Sequence, residues 1–254
     1  MALVRSEVRD GVAMITLDDP DRRNAVSLAM NAELRTLVDD LDACDDVGAL
    51  VVTGAGRAFC AGADLGELRA SGDTDGLSEI YSGFLAIAHA RKPAIAAVNG
   101  AAVGAGLNMA LACDLIVAAR SARFDSRFLQ IGIHPGGGHT WRLARLAGAQ
   151  AAMAMVVFGE VLDGDAAARH GLAWRCVDDE DLLDAARVIA GRAAAQPAQL
   201  TRRAKATIAT LARVADSDAA VAHELDTQVW SMAQPEFHAM IDAMAQRISS
   251  SERS

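Results

Sequence analysis

The stretch "IAAVNGAAVGAGLNMALACDL", residues 95–115, constrains the fold more than any other segment of the chain. It is nearly all small and apolar. Yet Gly100, Gly104 and Gly106 fall within seven residues of one another, and Asn99, Asn108 and Asp114 interrupt the run. Residues 93–119 have the length of a membrane span. The polar side chains cut them into short pieces, however, and the glycines weaken a continuous helix. The changing pattern fits strand, turn, helix and strand buried in an α/β core. Membrane crossing is therefore rejected, and backbone that something must approach closely becomes the question.

The surrounding pattern supports that core. "LVRSEVRDGVAMITL" reads as two strands joined at Asp10-Gly11, the strongest hairpin signal in the chain. A helix follows with Ser27 as its N-cap. "ALVVTG" (49–54), "AIAAV" (94–98) and "DLIVAA" (114–119) read as buried strands, "GLSEIYSGFLAIAHA" as a helix, and a further helix starts near Gly104. Strands alternating with helices imply a mainly parallel sheet with right-handed crossovers. Beyond residue 141 the chain is mostly helical, apart from a strand expected at "AWRCV" (173–177). Residues 181–248 hold three or four amphipathic helices, punctuated at Pro197 and Pro235. The division expected is a core over 1–195 and a helical region over 196–254.

Composition narrows the partners. A formal net charge of −9 argues against nucleic acid or an anionic membrane surface. It leaves room for a small anionic ligand held by a few local cations and helix N-termini. Cys44, Cys60, Cys113 and Cys176 are widely spaced, with no pattern of a disulfide framework or a metal site. The first residues lack the charged and apolar regions of a signal peptide, so a reducing cytoplasmic setting is expected.

Two strand-to-helix junctions share one form: "FCAGADLGEL" (59–68) and "NGAAVGAGLNMAL" (99–111). Each places Gly and Ala where a helix begins. Helix N-termini leave N–H groups unpaired with the positive end of the dipole behind them, and small side chains let a ligand reach them. Two such ends converging on one point would make an oxyanion hole. Either turn alone is adequately explained by tight strand–helix packing; the pair is not.

These segments resemble the crotonases, the enoyl-CoA hydratase/isomerase superfamily. Residues 95–115 fit the family signature throughout. "DPDRRNAVS" (19–27), "GRAFCAGADL" (56–65) and "GIHPGGGHTWRLARLAG" (132–148) match three more segments in the right order. The resemblance implies a spiral of ββα units with C-terminal helices, assembled as a homotrimer or a dimer of trimers. It implies an acyl-CoA substrate, with coenzyme A part of that substrate and no metal or redox cofactor. The thioester oxygen would lie between the N–H groups of Ala63 and Ala105, stabilising an enolate. The CoA end is assigned to Arg22, Arg23 and Ala25, with Ala61, Asp64, Leu65 and Lys205 as further contacts. From the residues alone, Asp64 reads as a helix cap.

Hydratases of this family carry two glutamates, at positions occupied here by Asn108 and Phe128. An amide cannot take a proton near neutral pH and a phenyl ring can neither give nor take one. Two other acid positions hold Gln130 and Gly136. His134 is then the first candidate for the base and Asp125 the second. His139 reads as a polar residue capping a helix, and Trp141 as lining the acyl pocket. The expected function is a lyase or isomerase acting on acyl-CoA through an enolate, with ordinary enoyl-CoA hydration in doubt. Its alternatives are a non-catalytic acyl-CoA-binding protein and a CoA-thioester hydrolase.

Overall fold

A computed structural model describes residues 2–251. The chain runs β1 (Val4–Arg9), β2 (Val12–Leu17), α1 (Leu28–Ala43), β3 (Ala49–Gly54), β4 (Ala58–Cys60), α2 (Leu65–Ala70) and α3 (Thr74–His89). It continues with β5 (Ala94–Val98), β6 (Ala101–Val103), α4 (Ala105–Ala112), β7 (Leu115–Ala119), β8 (Arg123–Asp125) and α5 (His139–Val156). Then come β9 (Leu162–Asp163), α6 (Gly164–Arg169), β10 (Arg175–Val177) and α7 (Leu182–Ala194). Three helices close the described chain: α8 (Ala198–Leu211), α9 (Ser217–Met232) and α10 (Pro235–Ser251). The chain divides between Ala195 and Gln196 into two compact units.

The first unit is an α/β structure built on a six-stranded sheet in the order β1-β2-β3-β5-β7-β10. Only β1 is antiparallel to its neighbour, and Asp10 and Gly11 turn that hairpin with φ of 51° and 72°. Both central residues of such a turn need positive φ, which Asp-Gly supplies at little cost. The other pairs are parallel. Parallel strands buried on both faces read as apolar runs, and the two faces separate cleanly here. Ile15, Leu50, Val52, Ala96 and Val98 join the core with Leu34 of α1, Phe84 of α3 and Leu107 of α4. Met14, Val51, Ile95 and Val117 pack under Leu182, Ala186 and Ala190 of α7.

A second sheet, β4-β6-β8-β9, has strands of two or three residues, too short to show a period. Pattern reading gives residues 101–103 as a turn; they form β6, parallel to β4 and β8. The strand expected over 173–177 begins two residues later, at Arg175. The helices expected over 181–248 number four, with α8 starting just after Pro197 and α10 at Pro235. Ser27 caps α1 by accepting from the Met30 N–H at 3.1 Å.

Two of the three polar residues in the 95–115 stretch serve the sheets. Asn99 Nδ2 donates to the carbonyls of Gly54 (2.9 Å) and Gly56 (3.0 Å), and Asp114 accepts from the Ala94 N–H at 2.8 Å. Buried backbone groups left unpaired would be costly, so these side chains end the strands where no strand partner remains. The third, Asn108, belongs to a cavity. Among the described residues no helix is long and apolar enough to cross a membrane, and no group of three or more His, Cys, Asp or Glu is placed to hold a metal ion.

Candidate active site

Each of the two junctions turns on a glycine with positive φ immediately before an alanine. Gly62 has φ 111° and Gly104 has φ 51°. Residues with a Cβ rarely adopt these conformations, so glycine is needed at both places. At the first junction Val26 bridges Ala63 as in a parallel ladder: the Val26 N–H donates to the Gly62 carbonyl and the Asp64 N–H to the Val26 carbonyl, both at 2.8 Å. That pairing uses the peptide groups flanking Ala63 and turns its own N–H to the other side. At the second junction the Gly104 N–H donates to the Asp125 carbonyl at 2.9 Å, and the Asn108 N–H donates to the Gly104 carbonyl at 2.9 Å. Ala105 is the first residue of α4, where an N–H has no partner within the helix. Among the described residues, neither the Ala63 nor the Ala105 N–H has a protein acceptor.

The junctions lie against each other. A Cβ added at Gly62 would stand 3.2 Å from the Val103 carbonyl oxygen, and one at Gly106 only 2.1 Å from the Cys60 carbonyl oxygen. The third glycine of the signature thus lets α4 press on the backbone of β4. Ala63 and Ala105 both line one cavity of about 520 Å³ in the first unit. That volume is ordinary for a small-molecule site. Leu68, Leu77, Ile80, Val103 and Phe128 make its walls apolar, while Tyr81, Asn108, Arg127 and His134 bring polar groups to it.

His134 is exposed at this lining. Its Nδ1 lies 2.7 Å from the carbonyl oxygen of Pro135, an atom that can only accept. Nδ1 therefore carries the proton of the neutral ring, and Nε2 keeps a free lone pair. Asp125 is placed differently. Its carboxylate is buried and accepts from Arg127 Nε at 2.8 Å, with a second contact from the same guanidinium, and it is not among the residues lining the cavity. Trp141 also stands apart from the lining. It is 54% exposed and stacks on Arg145, whose guanidinium carbon is 4.6 Å from the ring centre.

Asn108 sits in a network whose protons can be assigned from one obligate acceptor. The Gly136 carbonyl is 3.1 Å from Asn108 Nδ2 and can only accept, which fixes the orientation of the amide. Oδ1 then faces His139 Nδ1 at 2.8 Å, so that nitrogen donates. His139 Nε2 is left as an acceptor for the Ser126 hydroxyl. All three side chains are about 1% exposed, and the Phe128 ring meets the imidazole edge-on with centroids 4.8 Å apart. Burial, helped by the positive charge of Arg142, pushes the His139 pKa down to about 4. The ring is neutral at any ordinary pH. Ser, His and Asn in this order have the form of a nucleophilic triad, but Ser126 lies outside the cavity lining and both His139 nitrogens are engaged.

This overturns the capping role expected of His139. Gly138 is the N-cap of α5, in a left-handed conformation with no side-chain cap. Two features of the sequence accommodate the partnership without singling it out. A lone Asn inside an apolar helix must find a hydrogen-bonding partner once buried, and the glycines before His139 let the chain turn its ring inward. Gly137 and Gly138 have φ of 64° and 82°.

The segment "DRRNA" is tied to the first junction. Ala61 donates its N–H to the Arg23 carbonyl at 3.0 Å, which brings Arg22, Arg23 and Ala25 beside Ala61, Asp64 and Leu65. Asn24 makes the loop possible. Buried and with φ 56°, it donates from Nδ2 to the carbonyls of Ala55 (2.9 Å) and Ala58 (2.8 Å). Its part was not read from the sequence. Arg22 is not an unopposed cation, because it pairs with Asp64 and lies 3.8 Å from Asp19. Asp64 caps α2 through the Glu67 N–H at 2.9 Å. That hydrogen bond, with Arg22 beside it, holds its carboxyl below the usual range. Ala61 and Leu65 both reach the cavity, and Lys205 lies on α8 in the second unit.

Known proteins resemble this chain over most of its length. Residues 7–246 match the sequence model of the Enoyl-CoA hydratase/isomerase family. A protein of Mycobacterium tuberculosis named "probable enoyl-CoA hydratase" is 47% identical over 93% of this chain and 94% of its own. The 1,2-epoxyphenylacetyl-CoA isomerase of Escherichia coli is 38% identical over 78% of each chain. Among solved structures, the enoyl-CoA hydratase of Bacillus anthracis superposes with a TM-score of 0.90 at 29% identity, covering 96% of both chains. Subunit I of an enoyl-CoA hydratase from Geobacillus kaustophilus gives 0.88 at 31% identity over 96% of this chain and 95% of that one. The α/β architecture, the two glycine-hinged junctions and these relatives agree: the chain belongs to the enoyl-CoA hydratase/isomerase family.

Proposed function

We propose that the protein is an enolising enzyme of the isomerase type, acting on a CoA thioester. One observation carries this reading: two N–H groups without acceptors, one from each strand-to-helix junction, reach the same cavity. The thioester oxygen accepts from Ala63 and Ala105, and the donors stabilise it as charge develops on loss of a proton from the acyl chain. His134 Nε2 takes that proton and returns it to another carbon, moving the double bond. The overall change is redox-neutral, and the only cofactor it calls for is the coenzyme A carried by the substrate.

The polar groups of the cavity favour isomerisation over hydration. Hydration needs a water activated on one side and a proton delivered on the other. Asn108 and Phe128 supply neither, Asp125 is engaged by Arg127, and His139 is neutral with both nitrogens occupied. A single base suffices for a proton shift. Arg22, Arg23 and the backbone at Ala25 are the groups we assign to the CoA end. The apolar stripe of α9 (Val221, Leu225, Val229 and Met232, each about half exposed) is the surface we assign to assembly as a trimer or dimer of trimers.

The purified chain, incubated in deuterated water with saturated and unsaturated acyl-CoA esters, is expected to place deuterium on the acyl chain and to shift double bonds. Ala105→Pro removes one donor at a helix position that tolerates proline, and it reveals any contaminating host activity. Esters that bind and return unlabelled would replace this reading with a non-catalytic acyl-CoA-binding protein. Release of free CoA would replace it with a hydrolase.

A further inference from the structure

The wall of the cavity beyond Ala105 is polar in a specific way. The amide of Asn108 is locked by Gly136 on one side and His139 on the other, which leaves one Nδ2 hydrogen without a protein acceptor. Tyr81, on α3, brings a hydroxyl to the same cavity, and among the described residues that hydroxyl has no hydrogen-bond partner. Both groups meet at Gly136. The Asn108 amide bonds its carbonyl, and the Tyr81 oxygen fills the space its side chain would take, 2.2 Å from where a Cβ would stand. Two donors at one spot, between apolar walls, suit a ligand acceptor that takes the place of water.

We propose that the site takes a CoA thioester whose acyl chain bears an oxygen acceptor, accepted jointly by the Asn108 amide and the Tyr81 hydroxyl. Asn108 starts one helical turn after Ala105, ~4.5 Å along the axis of α4. With the thioester oxygen at Ala105, that distance puts the acceptor near C4 or C5 of the acyl chain. His139 and Ser126 act as positioning residues: they hold the amide so that it presents a donor and no base.

This inference rests on the proposed thioester site, and binding tests it separately from turnover. Dissociation constants would be measured calorimetrically for hexanoyl-CoA, 4-oxohexanoyl-CoA and 5-oxohexanoyl-CoA. One of the oxo esters is expected to bind about tenfold tighter than hexanoyl-CoA, from one or two hydrogen bonds. Tyr81→Phe is expected to shrink that ratio about threefold, and Asn108→Leu to reduce it further. Should Asn108→Leu fail to fold, Tyr81→Phe still decides. Oxo esters that bind no tighter than hexanoyl-CoA would overturn the inference and leave the enolising reading intact, since deuterium uptake tests that reading independently. Failure of every ester to bind would overturn both.

Discussion

The Gly62-Ala63 and Gly104-Ala105 junctions put main-chain atoms on the cavity, whereas α4, the loop 126–138 and the start of α5 put side chains on it. The first pair is fixed by the sheets. Strand pairing consumes the peptide groups on either side of Ala63, a strand bond to Asp125 and the first bond of α4 consume those of Gly104, and a glycine hinge precedes each alanine. The positive φ at Gly62 and Gly104 calls for glycine, so the junctions are plain in the sequence. The side-chain wall is fixed by mutual hydrogen bonding of Asn108, His139 and Ser126, residues 13 to 31 positions apart. Nothing in their spacing announces it. Backbone chemistry is written locally in this chain, and side-chain chemistry is written in which polar groups need one another.

That contrast can be attacked first through the base. His134→Gln keeps a polar side chain but cannot take up a proton, and deuterium uptake is expected to fall by about a hundred- to ten-thousandfold with acyl-CoA affinity held. Uptake within a fewfold of the parent would move the base elsewhere. Ala105→Pro is expected to lower the same rate by about a hundred- to a thousandfold, the usual consequence of losing one oxyanion donor. If the chain kept its rate, the main-chain half of the comparison would fail.

His139→Leu probes the other half. It strips partners from the Asn108 Oδ1 and the Ser126 hydroxyl, and is expected to destabilise the fold by about 1–3 kcal/mol in denaturant titration. The pH dependence sharpens this. Folded His139 titrates at about 4, below the usual histidine range near 6.5, so between those values the unfolded chain binds a proton that the folded one refuses. Stability should therefore fall as pH drops through that window, by roughly 3 kcal/mol at most, and the variant should lack this component. Parallel curves for parent and variant would mean the ring is not buried as described. The smallest effect belongs to Arg22→Ala. An exposed ion pair with Asp64 contributes about 1 kcal/mol or less, so the fold should barely change.

The main sheet was legible because its strands are buried on both faces and end in turn residues with evident conformational needs, as at Asp10-Gly11. Ser27, Pro197 and Pro235 marked helix starts for equally local reasons. The second sheet was not legible, since strands such as Arg123–Asp125 are too short to show a period. Of the candidate site, Ala63, Ala105 and Asn108 could be placed from the signature. Asn24 and His139 could not be assigned correctly: each looks like an ordinary polar residue until the segment it must satisfy is folded against it.

The central claim is that two backbone donors polarise a thioester carbonyl. The most direct test is the C=O stretch of a bound, isotope-labelled acyl-CoA, read by difference infrared spectroscopy. The account predicts a shift to lower frequency than in water for the parent chain, and a smaller shift for Ala105→Pro at full occupancy. A bound ester whose carbonyl absorbs as it does in water, in parent and variant alike, would contradict it.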